Sequence, residues 1–206
     1  MRLEKASYKA IKYACINFHY AKRLPAQPMV GFSCFNEKNE WCGCIVYNNG
    51  MNNQGKMFGL SIGQTSELVR VALNGKQSST SKYVAMSIRL FKQQNPLCRL
   101  LVSYADSDEK HYGTIYQAMN WYFIGSKKTS DKFIDPKTGK DIHSRSTSKS
   151  GITSQFGVIK RVPKTSELIR IKKGVKHKYI YPLDKKFIPM CKEMSKPYPK
   201  KQAHEV

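Results

Sequence analysis

Residues 100–125 read LLVSYADSDEKHYGTIYQAMNWYFIG. The apolar run from Leu100 to Tyr104 has the pattern of a short strand buried on both faces. Asp106 follows it, at the strand end where open α/β sheets place their ligands. Gly113 then opens a helix over 113–119, Asn120 turns the chain, and residues 121–124 form an aromatic strand. A strand, an acid, a Gly-capped helix and a second strand therefore stand next to one another.

Upstream, ELVRVAL at 67–73 alternates and is β-branched enough for a buried strand, closed by the Asn74-Gly75 turn. Tyr83, Val84, Met86, Ser87, Leu90 and Phe91 recur at three- and four-residue intervals, which predicts a helix over 80–94 that Pro96 stops. The β-helix-β-helix-β order through 67–124 predicts an α/β fold, a mixed sheet flanked by helices. Nearer the N-terminus, Tyr8, Ile11, Cys15 and Phe18 predict an amphipathic helix over 7–18 that ends near His19 and is broken by Pro25 and Pro28. Strands over 29–35 and 41–47 flank a polar turn, an antiparallel hairpin, and 48–64 is a Gly- and Asn-rich loop.

After Gly125 the pattern weakens. Residues 126–151 read as a long loop with room for a hairpin around Asp135-Pro136-Lys137-Thr138-Gly139. Strand-like pieces return at 156–162, 167–172 and 177–181, ahead of a Lys- and Pro-rich tail from Lys185. This organisation suggests a core over 1–125 and a basic, β-rich extension over 126–206 packed on it.

The 206 residues carry 36 Lys+Arg against 14 Asp+Glu, a formal charge of +22. Residues 126–206 hold 21 basic and 7 acidic side chains, residues 1–125 only 15 and 7. Such an excess points to a polyanionic partner, nucleic acid first, with the C-terminal part gripping its backbone; an ordinary basic surface is the plainer reading. No apolar run is long enough to span a bilayer and no signal-peptide core is present, so the expected location is the cytoplasm and no membrane partner is expected. The six cysteines show no CxxC pair or zinc-finger spacing, which suggests reduced, mostly buried thiols. Cys42 and Cys44, two apart in a strand, should share one face.

The stretch at 100–125 resembles the signature of the Mom-type DNA adenine-modification proteins of bacteriophages. His19-Tyr20-Ala21-Lys22-Arg23 is similar to the N-terminal His-Tyr element of that family, and KHKYIYPLDK at 176–185 resembles the end of Mom-like chains. The family is thought to belong to the GNAT acyltransferase superfamily, so the resemblance implies a GNAT-like mixed central sheet. It also implies transfer of an acetamido, glycinamide-like group to adenine N6 of phage DNA in the host cytoplasm, which blocks host restriction nucleases. The implied partner is double-stranded DNA with a flipped adenine, because N6 is out of reach of an active site inside a duplex. The activated donor is acetyl-CoA or glycyl-tRNA, the latter making tRNA a second partner. In GNAT enzymes the donor's pyrophosphate sits on a Q/R-x-x-G-x-G/A turn at a helix start; here 74–81 reads NGKQSSTS, with one Gly where two are expected. Two other readings stay open, a conventional GNAT N-acetyltransferase acting on a protein or small amine, and a basic DNA-binding protein without catalysis.

The resemblance implies catalytic roles for His19, Tyr20, Asp106 and Tyr116. His19 suits proton removal from an amine, or it is a helix C-terminal dipole partner. Asp106 can accept a proton or orient a neighbour, or it caps the next helix. Tyr116 is a general acid or a core tyrosine. Arg70, Ser79, Thr80, Ser81 and Tyr104 are candidates for the donor site, with helix capping the rival role for Thr80 and Ser81 and pairing with Glu67 the rival role for Arg70. Lys22, Arg23, Trp121, Lys127, Lys128, Lys176, Lys178 and Tyr179 mix cations with rings as nucleic-acid surfaces do, although core packing fits Tyr179 equally. His, Tyr and Asp together could hold iron, but their spacing is not that of a ligand set.

Overall fold

The computed structural model describes residues 1–49, 54–142, 144–155 and 157–200. Seven strands form one sheet. In chain order they are β1 (Arg2–Lys5), β2 (Met29–Phe35), β3 (Trp41–Asn48), β4 (Thr65–Leu73), β5 (Leu100–Asp106), β6 (Tyr122–Lys128) and, after five strands outside this sheet, β12 (Val175–Pro182). Their spatial order is β1-β2-β3-β4-β5-β12-β6. Every pairing is antiparallel except β4 with β5, which run parallel.

Helices cover both faces. Helix α1 (Tyr8–Asn17) starts at Ser7, whose Oγ accepts the Ala10 N–H at 3.2 Å, a standard N-cap. It buries Ile11, Ala14 and Cys15 against Cys44, Val46 and Ala72. Helix α2 (Thr80–Gln94) lies on the opposite face, where Tyr83, Val84, Ile88 and Phe91 pack with Ile45, Tyr47, Leu68 and Leu101. The one-turn helix α3 (Thr114–Gln117) joins that cluster through Ile115 and Tyr116. Helix α4 (Ile188–Glu193) returns to the first face, burying Cys191 beside Leu100, Val102 and Ile180. Strand alternation feeds the two layers: along β3 Ile45 and Tyr47 go one way, Cys44 and Val46 the other.

The helices and strands expected over 7–124 are present. The charged strand β1 was not expected; RLEK carries no apolar run, and its charges suit a sheet edge. Cys42 and Cys44 pack in different clusters rather than on one face, because the β2–β3 register slips beside Gly43, whose φ is +123°. All six cysteines are free and buried.

The larger correction concerns the division at residue 125. Strand β12 lies inside the sheet, between β5 and β6, so residues from both parts of the chain build one core. Tyr179 and Ile180 of β12 are fully buried. What projects is the segment between β6 and β12. It contains β7 (Lys132–Ile134), β8 (Asp141–Ile142), β9 (Ile152–Gln155), β10 (Val158–Arg161) and β11 (Ile169–Ile171), arranged as a three-stranded sheet β11-β7-β8 and a separate ribbon β9-β10. The hairpin expected at 135–139 joins β7 to β8, closed by the Asp135 N–H to the Lys140 carbonyl at 3.0 Å. Phe156, at the start of one expected strand, and part of the Asn-rich loop lie outside the described residues.

Candidate active site

Strands β4 and β5 pair only through Thr65–Glu67 with Leu100–Val102 and then part. The β3–β4 register slips next to the same point, between Val46 and Tyr47, which bends β4 away. A pocket of about 520 Å³ opens in the wedge. Its walls come from Val69 and Val71 of β4, Tyr104 and Ala105 of β5, the 110–116 segment leading into α3, and Phe18, His19 and Tyr20 from the loop after α1. That volume is in the range of small-molecule and cofactor sites. Residues about ninety positions apart in sequence line one cavity.

His19 and Tyr20 are in ring contact, 4.2 Å between centroids, and Tyr20 meets His111 edge-on at 5.4 Å. The chain contains the dipeptide His-Tyr twice, at 19–20 and 111–112, and the fold sets both on the pocket wall. His111 and Tyr112 were missed as site residues; the repeat of the dipeptide was the available signal.

Nδ1 of His19 accepts the Ala21 backbone N–H at 3.1 Å. A backbone N–H can only donate, so Nδ1 carries no proton and a neutral His19 holds its proton on Nε2. Burial first, then the positive fields of Arg70 and His111, push its pKa down to about 4. His19 is thus a neutral hydrogen-bond donor at physiological pH, better suited to polarising a carbonyl than to removing a proton. Burial also makes the charge on the Arg70 guanidinium costly. Its Nη1 donates to the Val69 carbonyl at 2.7 Å, its Nε has no partner, and among the described residues it makes no ion pair, with Glu67 or any other acid. Arg70 does not line the pocket, although its field reaches His19 and Tyr20, which do.

Asp106 ends β5 as expected, but it caps the single turn 107–109 rather than α3: its Oδ1 accepts the Asp108 N–H at 3.1 Å. Its Oδ2 is 4.0 Å from Lys176 Nζ. Asp106 does not itself line the pocket, but burial first and then its field hold the Tyr20 phenol in the protonated form. Tyr116 lines the pocket, with Ser103 Oγ 2.6 Å from its hydroxyl and 2.7 Å from the Leu68 carbonyl. Ser103 Oγ donates, sharing its one proton between the phenol oxygen and the carbonyl, and burial pushes the Tyr116 pKa up to about 12.

Glu67 sits where β4 and β5 part, outside the residues that line the pocket. Burial raises its pKa, and its Oε2 accepts from Gln54 Nε2 at 3.0 Å; the same nitrogen lies 3.4 Å from the Tyr104 hydroxyl.

Ser79 is the N-cap of α2 but makes no side-chain cap bond; its Oγ pairs with Ser81 Oγ at 3.2 Å, and Gln77 donates to Thr80 Oγ1 at 3.0 Å. The first-turn N–H groups have no side-chain cap, and the acid nearest them is Glu37, which accepts from Ser78 Oγ at 2.9 Å just ahead of the helix.

The nucleic-acid candidates divide. Lys22, Arg23, Lys127 and Lys128 are exposed, and Lys176 and Lys178 half-exposed. Lys176 stands directly opposite Lys127 across β12 and β6, an unfavourable pairing unless an anion bridges it. Trp121 and Tyr179 do not belong to this surface, since both are fully buried. Tyr179 donates to the Tyr112 carbonyl at 2.5 Å, accepts from Gln117 at 3.1 Å, and lies against Gly113. Among the described residues no three His, Cys, Asp or Glu side chains gather as a metal site, and no helix is long and apolar enough to cross a membrane.

A mixed sheet flanked by helices, whose one parallel pair parts over an aromatic pocket, has the fold of the GNAT acyltransferases. Two solved structures align over 89% of this chain and 99% of their own. One is assigned as a phosphinothricin N-acetyltransferase (10% identity, TM-score 0.50) and one as an acetyltransferase from Staphylococcus epidermidis ATCC 12228 (9% identity, TM-score 0.50). At these identities the likeness is one of fold. A model of the Mom protein family matches residues 1–200, and the chain belongs to that family. No curated protein matches it.

Proposed function

We propose that this protein is a transferase that places an acetamido, glycinamide-like group on adenine N6 in phage DNA and so shields it from host restriction nucleases. The observation that carries this reading is the meeting of His19-Tyr20 with the 104–116 segment around one pocket. They belong to two of the three stretches that the Mom resemblance rests on. The pocket's size and aromatic walls suit a purine swung out of the stack, and Lys22, Arg23, Lys127 and Lys176 suit the phosphates on either side.

Connectivity selects the donor. An acetyl group from acetyl-CoA would join N6 through its carbonyl carbon, whereas an acetamido group joins through its methylene. Glycyl-tRNA has the right atoms. Adenine N6 attacks the glycyl ester carbon, the tRNA hydroxyl leaves, and the N6 proton passes to a carboxylate, for which Asp106 is the candidate. The glycine amine then adds to C6 and the C6–N6 bond breaks. The original N6 becomes the terminal amide nitrogen. His19 Nε2–H is a donor available to the carbonyl oxygen as it gains charge.

Mass spectrometry of nucleosides from cells expressing the protein tests this. An adenine adduct of glycinamide mass is expected, absent with Asp106→Ala; unmodified DNA with a folded, soluble protein would overturn the reading. Nitrogen-15 placed in the adenine amino group should appear in the terminal amide, and its retention at C6 would exclude the rearrangement.

A further inference from the structure

Among the described residues, the ribbon β9–β10 presents much of its surface to solvent. Ile152, Val158 and Ile159 are 52%, 55% and 75% exposed, and all four residues of β10 are exposed. The two strands pair only with each other, and an isolated two-stranded hairpin is marginal in water. Its cross-strand register sorts its residues. Ile159 faces Ser154 and Arg161 faces Ile152 on one side, while Lys160 faces Thr153 on the other.

The segment that carries the ribbon is rooted at the active-site end of the sheet. It leaves at Lys128 and returns at Val175, which are cross-strand partners, and the next residue, Lys176, pairs with Asp106. Its returning end is tied to the loop after Asp106 by the Gly174 N–H to Asp108 Oδ1 (2.9 Å), the Val175 N–H to Ser107 Oγ (2.9 Å) and Lys173 with Asp108 (3.2 Å). Residues 129–174 hold eleven basic and four acidic side chains.

We infer that β9–β10 is a DNA-reading ribbon that enters the major groove beside the target adenine, with Ile152, Ser154, Ile159 and Arg161 toward the base edges. The inference rests on the proposed DNA substrate. A two-stranded ribbon fits the major groove, the groove that displays adenine N6. There an arginine can read guanine, a serine hydroxyl can meet any base, and an apolar side chain can meet the thymine methyl.

Duplex oligonucleotides with a central adenine provide the test, read by anisotropy and by dimethyl sulfate attack at guanine N7 in the major groove. The full chain should protect N7 positions flanking the adenine. Removing residues 152–161 should erase that protection; Gly151 and Val162 are already joined by a 2.9 Å backbone hydrogen bond, so the ends can be closed. Ile159→Ala with Arg161→Ala should weaken binding about tenfold or more, whereas Thr153→Ala with Val158→Ala should stay within about threefold. Equal effects from the two faces, unchanged binding without the ribbon, or ribbon-dependent binding of tRNA in place of duplex DNA would each overturn the proposal. A ribbon-dependent footprint on DNA that is never modified would sink the modification reading and leave the ribbon standing. Full modification by the ribbonless chain would do the reverse.

Discussion

His19 couples a site to stability. Its folded pKa of about 4 lies below the unfolded value of about 6.5, so the unfolded chain binds more protons between those limits. Stability therefore falls as pH drops from about 6.5 to 4 and is unaffected by this group above that window. After allowance for its partial exposure the loss is about 1–2 kcal/mol. Urea titrations of wild type and His19→Gln across pH 4–8 should show a smaller acid loss in the variant. Gly113 makes a second prediction. Its φ is +77°, and an added Cβ would lie 2.3 Å from the Tyr179 ring. Gly113→Ala should cost about 2–4 kcal/mol from strain and overlap together, whereas Tyr179→Phe keeps the ring and loses about 1–2 kcal/mol of hydrogen bonding. Equal costs would contradict this account. The roles of these residues were only partly legible in sequence. The His-Tyr and Asp positions could be read, but the His19 tautomer depends on one backbone N–H, and an aromatic residue looks the same whether it stacks on a base or fills a core.

Strand β12 decides how the chain can be cut. It pairs with β5 on one side and with the edge strand β6 on the other, and it buries Tyr179 and Ile180 completely. Each such side chain contributes about 1.5–3 kcal/mol, against a total stability of about 5–15. A chain ending at residue 125 should therefore show no cooperative urea transition. A chain in which a short Gly-Ser turn replaces residues 130–173 should keep one, because the Thr129 N–H already reaches the Gly174 carbonyl at 3.0 Å. Cooperative unfolding of the first chain would contradict this. The expected helices and strands over 7–124 were readable because their periodicity is local. That β12 sits between β5 and β6 was not, since an alternating strand does not specify its neighbours.

The whole molecule carries a charge of +22, so its encounter with DNA is governed by counterion release. If six to ten phosphates are contacted, affinity should fall about 10³–10⁵-fold between roughly 50 and 200 mM salt. A log–log slope near zero in a salt titration would argue against a polyanionic partner. Composition alone predicts that behaviour, because charge adds up without regard to fold. The sequence by itself settled the α/β class, the order of most core elements and the polyanion-seeking charge, all of which depend on composition or on residues close in the chain. The pocket, the facing His-Tyr pairs, the burial of Trp121 and Tyr179 and the ribbon standing free of the core came only with the folded chain. Each depends on contacts between distant residues, and such contacts exist only once β4 and β5 have parted and β12 has closed the sheet.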